Sequence, residues 1–549
     1  MSSRIKAFCL FLFISLLPAI SLAQRDYNSY EQLTARLKKM SLQYGRLCTV
    51  TSIGKTATDK EIWLITLGRE NAPGKPAVAI VAGVHATQLA TTELAMQLAE
   101  QMLFSATIHD STAQLLSEKT FYILPNVNPD ASEQYHEKLR WERTGNAQPR
   151  DDDRDGRIFE DPFDDLNGDG LITLIRVQDS SGTHRVSKHD ARVMTWANKA
   201  AGEKGTHQVY TEGIDNDKDG LFNEDAEGGV NFNKNFSYAF EDFKRETGEH
   251  PMSERETKAF ADFMVTAPNI HSVFVFGPAT TLLHGPTSDE KISSNSAVLK
   301  AAVKDDSVTA TVANIYKASI PTIGAQKVDP SPGDVVQWAH LHYGRFSYST
   351  PGWWIPQLSI EAPDSSSKQE LQDLSFLEWA KLNDMPGVFL DWQPVSHPDF
   401  PGKQVEVGGF APYAQNTPPV YLLSAVAKSH LQFFAKYGNQ MPKLQIVNFK
   451  AERTQDNNTR ITADIKNTGK LPSHAAVGDY LQWVQKIKIS LKLEEGQTIV
   501  QGKSVTSYTS LKGGEKISVT WVVKGAGYVV VEVNSPTAGS QTKQIALKQ

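Results

Sequence analysis

The sequence predicts an α/β protein, an α/β/α sandwich around a mixed sheet, followed by a C-terminal all-β sandwich. Three observations carry this expectation. Short apolar runs rich in β-branched residues alternate with helical patterns up to about residue 442. Several of those runs are apolar throughout, the pattern of strands covered on both faces. Beyond residue 442 the helical pattern stops, and at least five strand-like segments follow within about a hundred residues.

The elements follow in order. Leu33, Leu37 and Met40 after Tyr30 mark a helix, and 61–67 reads as a strand. Lys75-Pro76 leads into 77–84, a buried strand, and Leu94, Met96, Leu98 and Met102 place a helix over 91–102. Residues 121–127 form another strand, ending in Asn126-Val127-Asn128-Pro129. Further buried strands are expected at 272–276, 346–349 and 357–360. Strands alternating with helices give a mostly parallel sheet, in which ligands bind beyond the carboxyl ends of the strands. His85 sits there, directly after 77–84. In the C-terminal part, strands are expected at 443–447, 461–465, 487–493, 517–523 and 528–533, with no helix between them. Turn-prone groups such as Asn457-Asn458 and Gly513-Gly514 separate them.

Composition narrows the class. Of 549 residues, 40% are apolar and 21% charged, with 37 glycines and 27 prolines, which excludes a disordered, collagen-like or coiled-coil chain. Lys and Arg number 56 against 62 Asp and Glu, a net charge of −6 without any long basic block, so nucleic acid is not an expected partner. Arg4 and Lys6 precede an apolar run over 7–20, and Ser21-Leu22-Ala23 supplies small residues for cleavage. Residues 1–23 therefore read as a signal peptide, and the protein as exported, periplasmic or extracellular. No later stretch is apolar for long enough to span a membrane. Cys9 lies inside the signal, leaving Cys48 alone, so no internal disulfide forms and stability comes from packing or bound ions.

Three segments within seventy residues carry acidic or amide side chains at alternate positions before a glycine. They contain Asp151, Asp153 and Asp155 before Gly156; Asp165, Asn167 and Asp169 before Gly170; and Asp215, Asp217 and Asp219 before Gly220. Calcium takes six to eight oxygens, alternating side chains on a tight turn converge from one side, and glycine permits the bend. The bidentate glutamate usual at the twelfth loop position is replaced by Pro162, Arg176 and Ala226. Structural calcium is expected to clamp an insertion spanning about 150–228.

Several motifs together resemble the zinc carboxypeptidase family (M14), in the exported bacterial branch with an Asp-rich insertion and a trailing β-sandwich. Gly83-Val84-His85-Ala86-Thr87-Gln88 is similar to the H-x-x-E segment that supplies two zinc ligands. The 124–130 turn, the Arg143 segment beside the substrate carbonyl, and 229–236, which holds the substrate carboxylate through positions Asn233 and Lys234, also match. Residues 333–339 and 344–350 resemble the approach to the catalytic glutamate. The resemblance implies residues 24–442 as the carboxypeptidase-like domain and 443–549 as an Ig-like sandwich.

The chemistry implied by the resemblance is missing at each decisive position. The family holds zinc with two histidines and a glutamate, and a further glutamate takes the proton of the metal-bound water. Here His85 is kept, but Gln88 stands for the glutamate, Gly277 for the second histidine and Pro351 for the base. Lys234 replaces an arginine, keeping the charge without the bidentate fork. One imidazole cannot hold catalytic zinc, so zinc is expected absent or weak. The reading is a pseudopeptidase retaining a groove for a peptide or peptidoglycan-type ligand. Two alternatives stay open. A working metallocarboxypeptidase with an unusual ligand set would need Glu361 as base and His271 or His284 as ligand. An adhesion protein would act through the β-sandwich. Glu93 is expected to face solvent, and Trp353-Trp354 either to pack in the core or to stack on a ligand.

Overall fold

The computed structural model describes residues 27–547, apart from 152–155, 160, 217, 219, 221, 224–228, 285–295 and 357–366. The expected signal peptide, the strand expected at 357–360 and Glu361 lie outside the described residues. The first strands are β1 (Cys48–Lys55), β2 (Glu61–Leu67), β3 (Ala77–Val81), β4 (Thr120–Leu124), β5 (Leu174–Gln178) and β6 (His184–Val186). They continue as β7 (Met194–Trp196), β8 (His207–Thr211), β9 (Ile270–Phe276), β10 (Phe346–Thr350), β11 (Phe389–Val395) and β12 (Val405–Phe410).

The main sheet runs β1-β2-β4-β3-β9-β10. β1, β2 and β4 are antiparallel neighbours, and β4, β3, β9 and β10 are parallel. Every residue of β3, β4 and β9 is buried, which is why their sequences are apolar without alternation. Val78, Ile80, Phe274 and Phe276 pack with residues of the helices Leu89–Ile108 and Val420–Gln440. Ala79, Val81, Val273 and Val275 pack with residues of the helices Arg255–Thr266 and Val335–Leu341. Helices thus cover both faces of a mixed sheet, the expected α/β/α arrangement. The chain leaves β3 for β4 on one side and later returns to β9 on the other. Loops after β3 and β9 therefore diverge, opening a crevice at the carboxyl ends of these strands.

The insertion is more than the expected run of loops. β5, β6, β7 and β8 combine with β11 and β12 into a second six-stranded sheet, ordered β11-β12-β5-β8-β6-β7. β12 pairs antiparallel with β5, Val405 opposite Val177, and Arg176 Nε lies 2.8 Å from Glu406.

Eight further strands complete the chain: β13 (Leu444–Arg453), β14 (Thr459–Asn467), β15 (Ile487–Leu493), β16 (Thr498–Gln501), β17 (Val505–Tyr508), β18 (Lys516–Lys524), β19 (Tyr528–Ser535) and β20 (Gly539–Ala546). They form two four-stranded sheets, β13-β14-β18-β16 and β17-β15-β19-β20, around Ile446, Ile461, Ile489, Trp521 and Val531. A short helix, Ala476–Leu481, interrupts the region expected to lack one. Its N-terminus sits on Asp305, which accepts the Ala476 N–H at 2.9 Å.

The sandwich docks where the parallel strands begin, away from the crevice. Lys119, just before β4, donates to the Pro442 carbonyl at 3.1 Å, and His271 in β9 bonds the Pro472 carbonyl at 3.0 Å. Cys48 is buried, and burial pushes its thiol up to about 12. No helix among the described residues is long and apolar enough to cross a membrane.

Candidate functional site

The three positions expected to match the family's metal ligands, His85, Gln88 and Gly277, come together through strand register. In the parallel β9–β10 pair, Phe276 lies opposite Thr350, so Gly277 and Pro351 follow at neighbouring strand ends. The Gly277 N–H donates to the Thr350 carbonyl at 3.0 Å. Val81 lies opposite Val275, which brings the loop after β3, carrying His85 and Gln88, to the same edge. Gly83 at its start has φ +69°, and a Cβ there would meet Asn126 Oδ1 at 2.5 Å, so the turn requires glycine.

The side chains at these positions do not form a metal centre. His85 Nδ1 is hydrogen-bonded to Thr87 Oγ1 at 3.0 Å. Burial lowers the His85 pKa; Glu246 works against that shift and Lys234 adds to it, so the ring is neutral at pH 7. Gln88 Oε1 is buried with no hydrogen-bond partner among the described residues. At Gly277 a Cβ would stand 2.6 Å from Val84 Cγ2, so the Val84 methyl already fills the space a third ligand would enter through. Pro351 offers no donor. Among the described residues no group of three or more His, Cys, Asp or Glu side chains could hold a metal ion. The residues present do not fit catalytic zinc.

The expected substrate-binding residues lie beside this edge. The backbone bridge between Gly145 and Asn231 joins the Arg143 segment to the Asn233–Lys234 segment. Arg143 is 8% exposed and donates Nε to Gly145 O at 3.1 Å and Nη2 to Asn146 O at 2.8 Å. Asn233 Oδ1 accepts the Val335 N–H at 3.2 Å. Lys234 Nζ is 2.6 Å from Glu246, which also accepts the Thr144 hydroxyl. A substrate carboxylate would have to displace Glu246 from the lysine. Nothing in the local sequence singles out Glu246; it sits within Lys244-Arg245-Glu246, and its backbone carbonyl holds the Asn231 N–H at 2.9 Å.

Other candidates are placed elsewhere. His271 is fully buried near the start of β9, bonded to Pro472 and within 3.3 Å of Tyr437 Oη, and so cannot turn toward His85. His284 is exposed, at the end of the helix Thr281–His284. Glu93 does not face solvent: it is 4% exposed and its carboxylate meets Arg36 at 2.6 Å. A cleft of about 460 Å³ opens at the strand ends, with Gln88, Pro278, Pro351, Trp353 and Trp354 in its wall. Trp353 packs on Trp379 with ring centroids 5.5 Å apart, as the core expectation has it, and Trp354 Nε1 donates to Ile323 O at 3.0 Å.

The acidic loops share one local geometry. The first aspartate of each accepts the N–H five residues on: Asp151 from Gly156 at 2.9 Å, Asp165 from Gly170 at 2.7 Å, Asp215 from Gly220 at 3.0 Å. Buried Asp161 accepts the Asn216 N–H at 2.9 Å and buried Glu212 the Leu166 N–H at 2.9 Å, tying the second loop to the third. Asp153, Asp155, Asp217 and Asp219 lie outside the described residues.

Comparison with known proteins decides the family. The model of the zinc carboxypeptidases (Peptidase_M14) matches residues 33–354. The chain belongs to the zinc carboxypeptidase family. Residues 443–546 match a domain of unknown function (DUF8731). Carboxypeptidase D of Rattus norvegicus is 30% identical over 139 residues, 24% of this chain and 10% of that protein. Carboxypeptidase D of Homo sapiens is 27% identical over 165 residues, 30% of this chain and 12% of that one. Carboxypeptidase M of Mus musculus is 25% identical over 155 residues, 28% of this chain and 35% of that one. The matched region thus spans about a tenth of the length of the carboxypeptidase D relatives. Among solved structures, the thrombin activatable fibrinolysis inhibitor is similar at a TM-score of 0.38, with 12% identity, covering 76% of this chain and 75% of that one. Carboxypeptidase A of Helicoverpa armigera gives 0.36 and 13%, covering 66% and 72%. Within this member of the family, the α/β scaffold is present, and the described side chains at the expected ligand positions are His85 and Gln88, with glycine at 277.

Proposed function

We propose that this chain is an exported, non-hydrolytic zinc carboxypeptidase homologue that keeps the cleft at the strand ends to bind a peptide or peptidoglycan-type ligand. The observation that carries the reading is the contact between Gly277 and Val84. Loss of one ligand by substitution leaves a gap that another group can fill, but here a buried methyl occupies the approach. With His85 alone among the described residues at this edge, no described group there polarises a carbonyl or activates water. The sandwich docks at the opposite end of the sheet, which leaves the cleft open.

Purified protein is expected to hold far less than one zinc per chain by elemental analysis. Incubation with peptides of varied C-terminal residue, and with peptidoglycan fragments, is expected to release no more amino acid than a His85→Ala variant does. Zinc near one per chain together with His85-dependent release would overturn the reading.

The same reading gives the acidic loops structural calcium, held by Asp151, Asp153 and Asp155, by Asp165, Asn167 and Asp169, and by Asp215, Asp217 and Asp219. The donors are oxygens, as a hard cation requires, and the repeated Asp-to-Gly turn in each loop suits a site built three times. A site at a hundred times its Kd contributes about 2.7 kcal/mol to stability. EGTA is therefore expected to lower the melting temperature and open 150–228 to protease, with calcium restoring both. An unchanged melting temperature in EGTA would remove calcium from the account.

A further inference from the structure

A second concavity lies outside the family positions. It measures about 470 Å³, opens between the second sheet and the main domain, and has three of the chain's 10 tryptophans in its wall: Trp141, Trp196 and Trp392. Trp196 is 59% exposed, at the end of the three-residue strand β7. Trp141 and Trp392 are half-buried, and each of the three rings has a partner against it. The His184 ring lies 4.1 Å from Trp196 with the planes 39° apart. The Arg176 guanidinium sits 4.4 Å from the Trp392 ring, whose Nε1 donates to the Arg192 carbonyl at 2.9 Å. Trp141 packs on Phe163 at 4.4 Å.

The polar part of the wall narrows the ligand. Arg192 and Arg245 are matched in number by Glu142 and Asp373, so the wall carries no excess charge to select an ion. Arg192 is already bound to Asp190 at 2.6 Å, and Asp373 accepts from Gln415 at 2.9 Å. Amides and hydroxyls, among them Gln415, Asn223 and Thr211, stand around the rings. A pyranose ring matches this combination. Its C–H face, weakly positive, packs on the negative π face of an indole, and its hydroxyls exchange hydrogen bonds with side-chain amides. An anionic polymer would need surplus positive charge, and an amphipathic helix would need a continuous apolar floor.

We propose that this cleft is a binding site for a neutral oligosaccharide, with Trp196 and Trp392 as its stacking platforms. Gln415 lines both this cleft and the one at Gln88, so the two adjoin. The site does not depend on whether the family centre hydrolyses anything.

The test titrates the full chain with cellohexaose, chitohexaose, xylohexaose and maltohexaose, and with hexaglycine as a peptide control, by calorimetry and tryptophan fluorescence. At least one saccharide is expected to bind with Kd between about 10 μM and 1 mM, quenching or shifting the fluorescence. Trp196→Ala is expected to weaken that binding about tenfold at an unchanged melting temperature, since the ring is exposed, while Trp196→Phe keeps most of it. His85→Ala is expected to bind like the parent, which separates this site from the family centre. Absence of binding to all four saccharides, equal affinity in parent and Trp196→Ala, loss of affinity in His85→Ala, or tighter binding of hexaglycine would each overturn the proposal.

Discussion

Gly277→His is expected to destabilise the protein without creating a zinc site. A Cβ at 277 would lie 2.6 Å from Val84 Cγ2 and 3.3 Å from Val275 Cγ1, both on buried β-branched residues with little rotamer freedom. The 277 backbone cannot retreat easily, because its N–H is bonded to Thr350 O in the strand register. Overpacking of this kind costs about 1–3 kcal/mol, read as a melting temperature several degrees lower. Val84→Ala opens the space, so Val84→Ala/Gly277→His is expected to recover more stability than the sum of the single changes allows. Zinc uptake is expected only when Gln88→Glu is added to that pair, supplying two imidazoles and a carboxylate. Calorimetric melting and elemental analysis of the parent and these four variants measure both effects. A Gly277→His protein that melts like the parent, or binds zinc by itself, would mean that the position is open.

How much of this was legible in the sequence differs from element to element. β3, β4 and β9 could be read because a strand buried on both faces must be apolar at every position, whatever pairs with it. The sequence expectation that Gly277 follows β9 and Pro351 follows β10 needs only local sequence, and the parallel register sets those two residues side by side. The second sheet was illegible for the opposite reason. β6 and β7 have three residues each, too short for a period to register, and β5 finds its partner in β12 more than two hundred residues later. The sequence points Glu93 toward solvent because Arg36, which pairs with it, stands in a different helix. His271 looked free to turn for a similar reason: the carbonyl that holds it belongs to Pro472, at the start of the sandwich. Glu246 shows the same limit at the candidate site, where a residue in a charged, surface-like run pairs with Lys234, the residue expected to meet a substrate carboxylate. Such pairings are set by topology, and the sequence shows only the partners' chemistry.

Asp334 sits beside Asn233 and makes the local stability depend on pH. It caps the helix Val335–Leu341, accepting the Gln337 N–H at 2.8 Å, and the next residue's N–H is the one held by Asn233. The side chain is 1% exposed, and burial raises its pKa from 3.8 to about 7; hydrogen bonds from the Gln337, Ser331 and Val336 backbone only partly offset this. Between about pH 4 and 7 the folded chain therefore holds a proton that the unfolded chain has released. Stability contributed by this group is fully present below about pH 4 and is lost as pH rises to 7, by on the order of 3–4 kcal/mol. Asp334→Asn keeps a good cap and removes the titration. The variant is expected to match the parent near pH 4 and to exceed it by about 3–4 kcal/mol at pH 8, in denaturant titrations read across that range. The difference between the two proteins isolates this one carboxyl, because every other titrating group is common to both. Parallel curves from pH 4 to 8 would show that Asp334 ionises normally despite its burial.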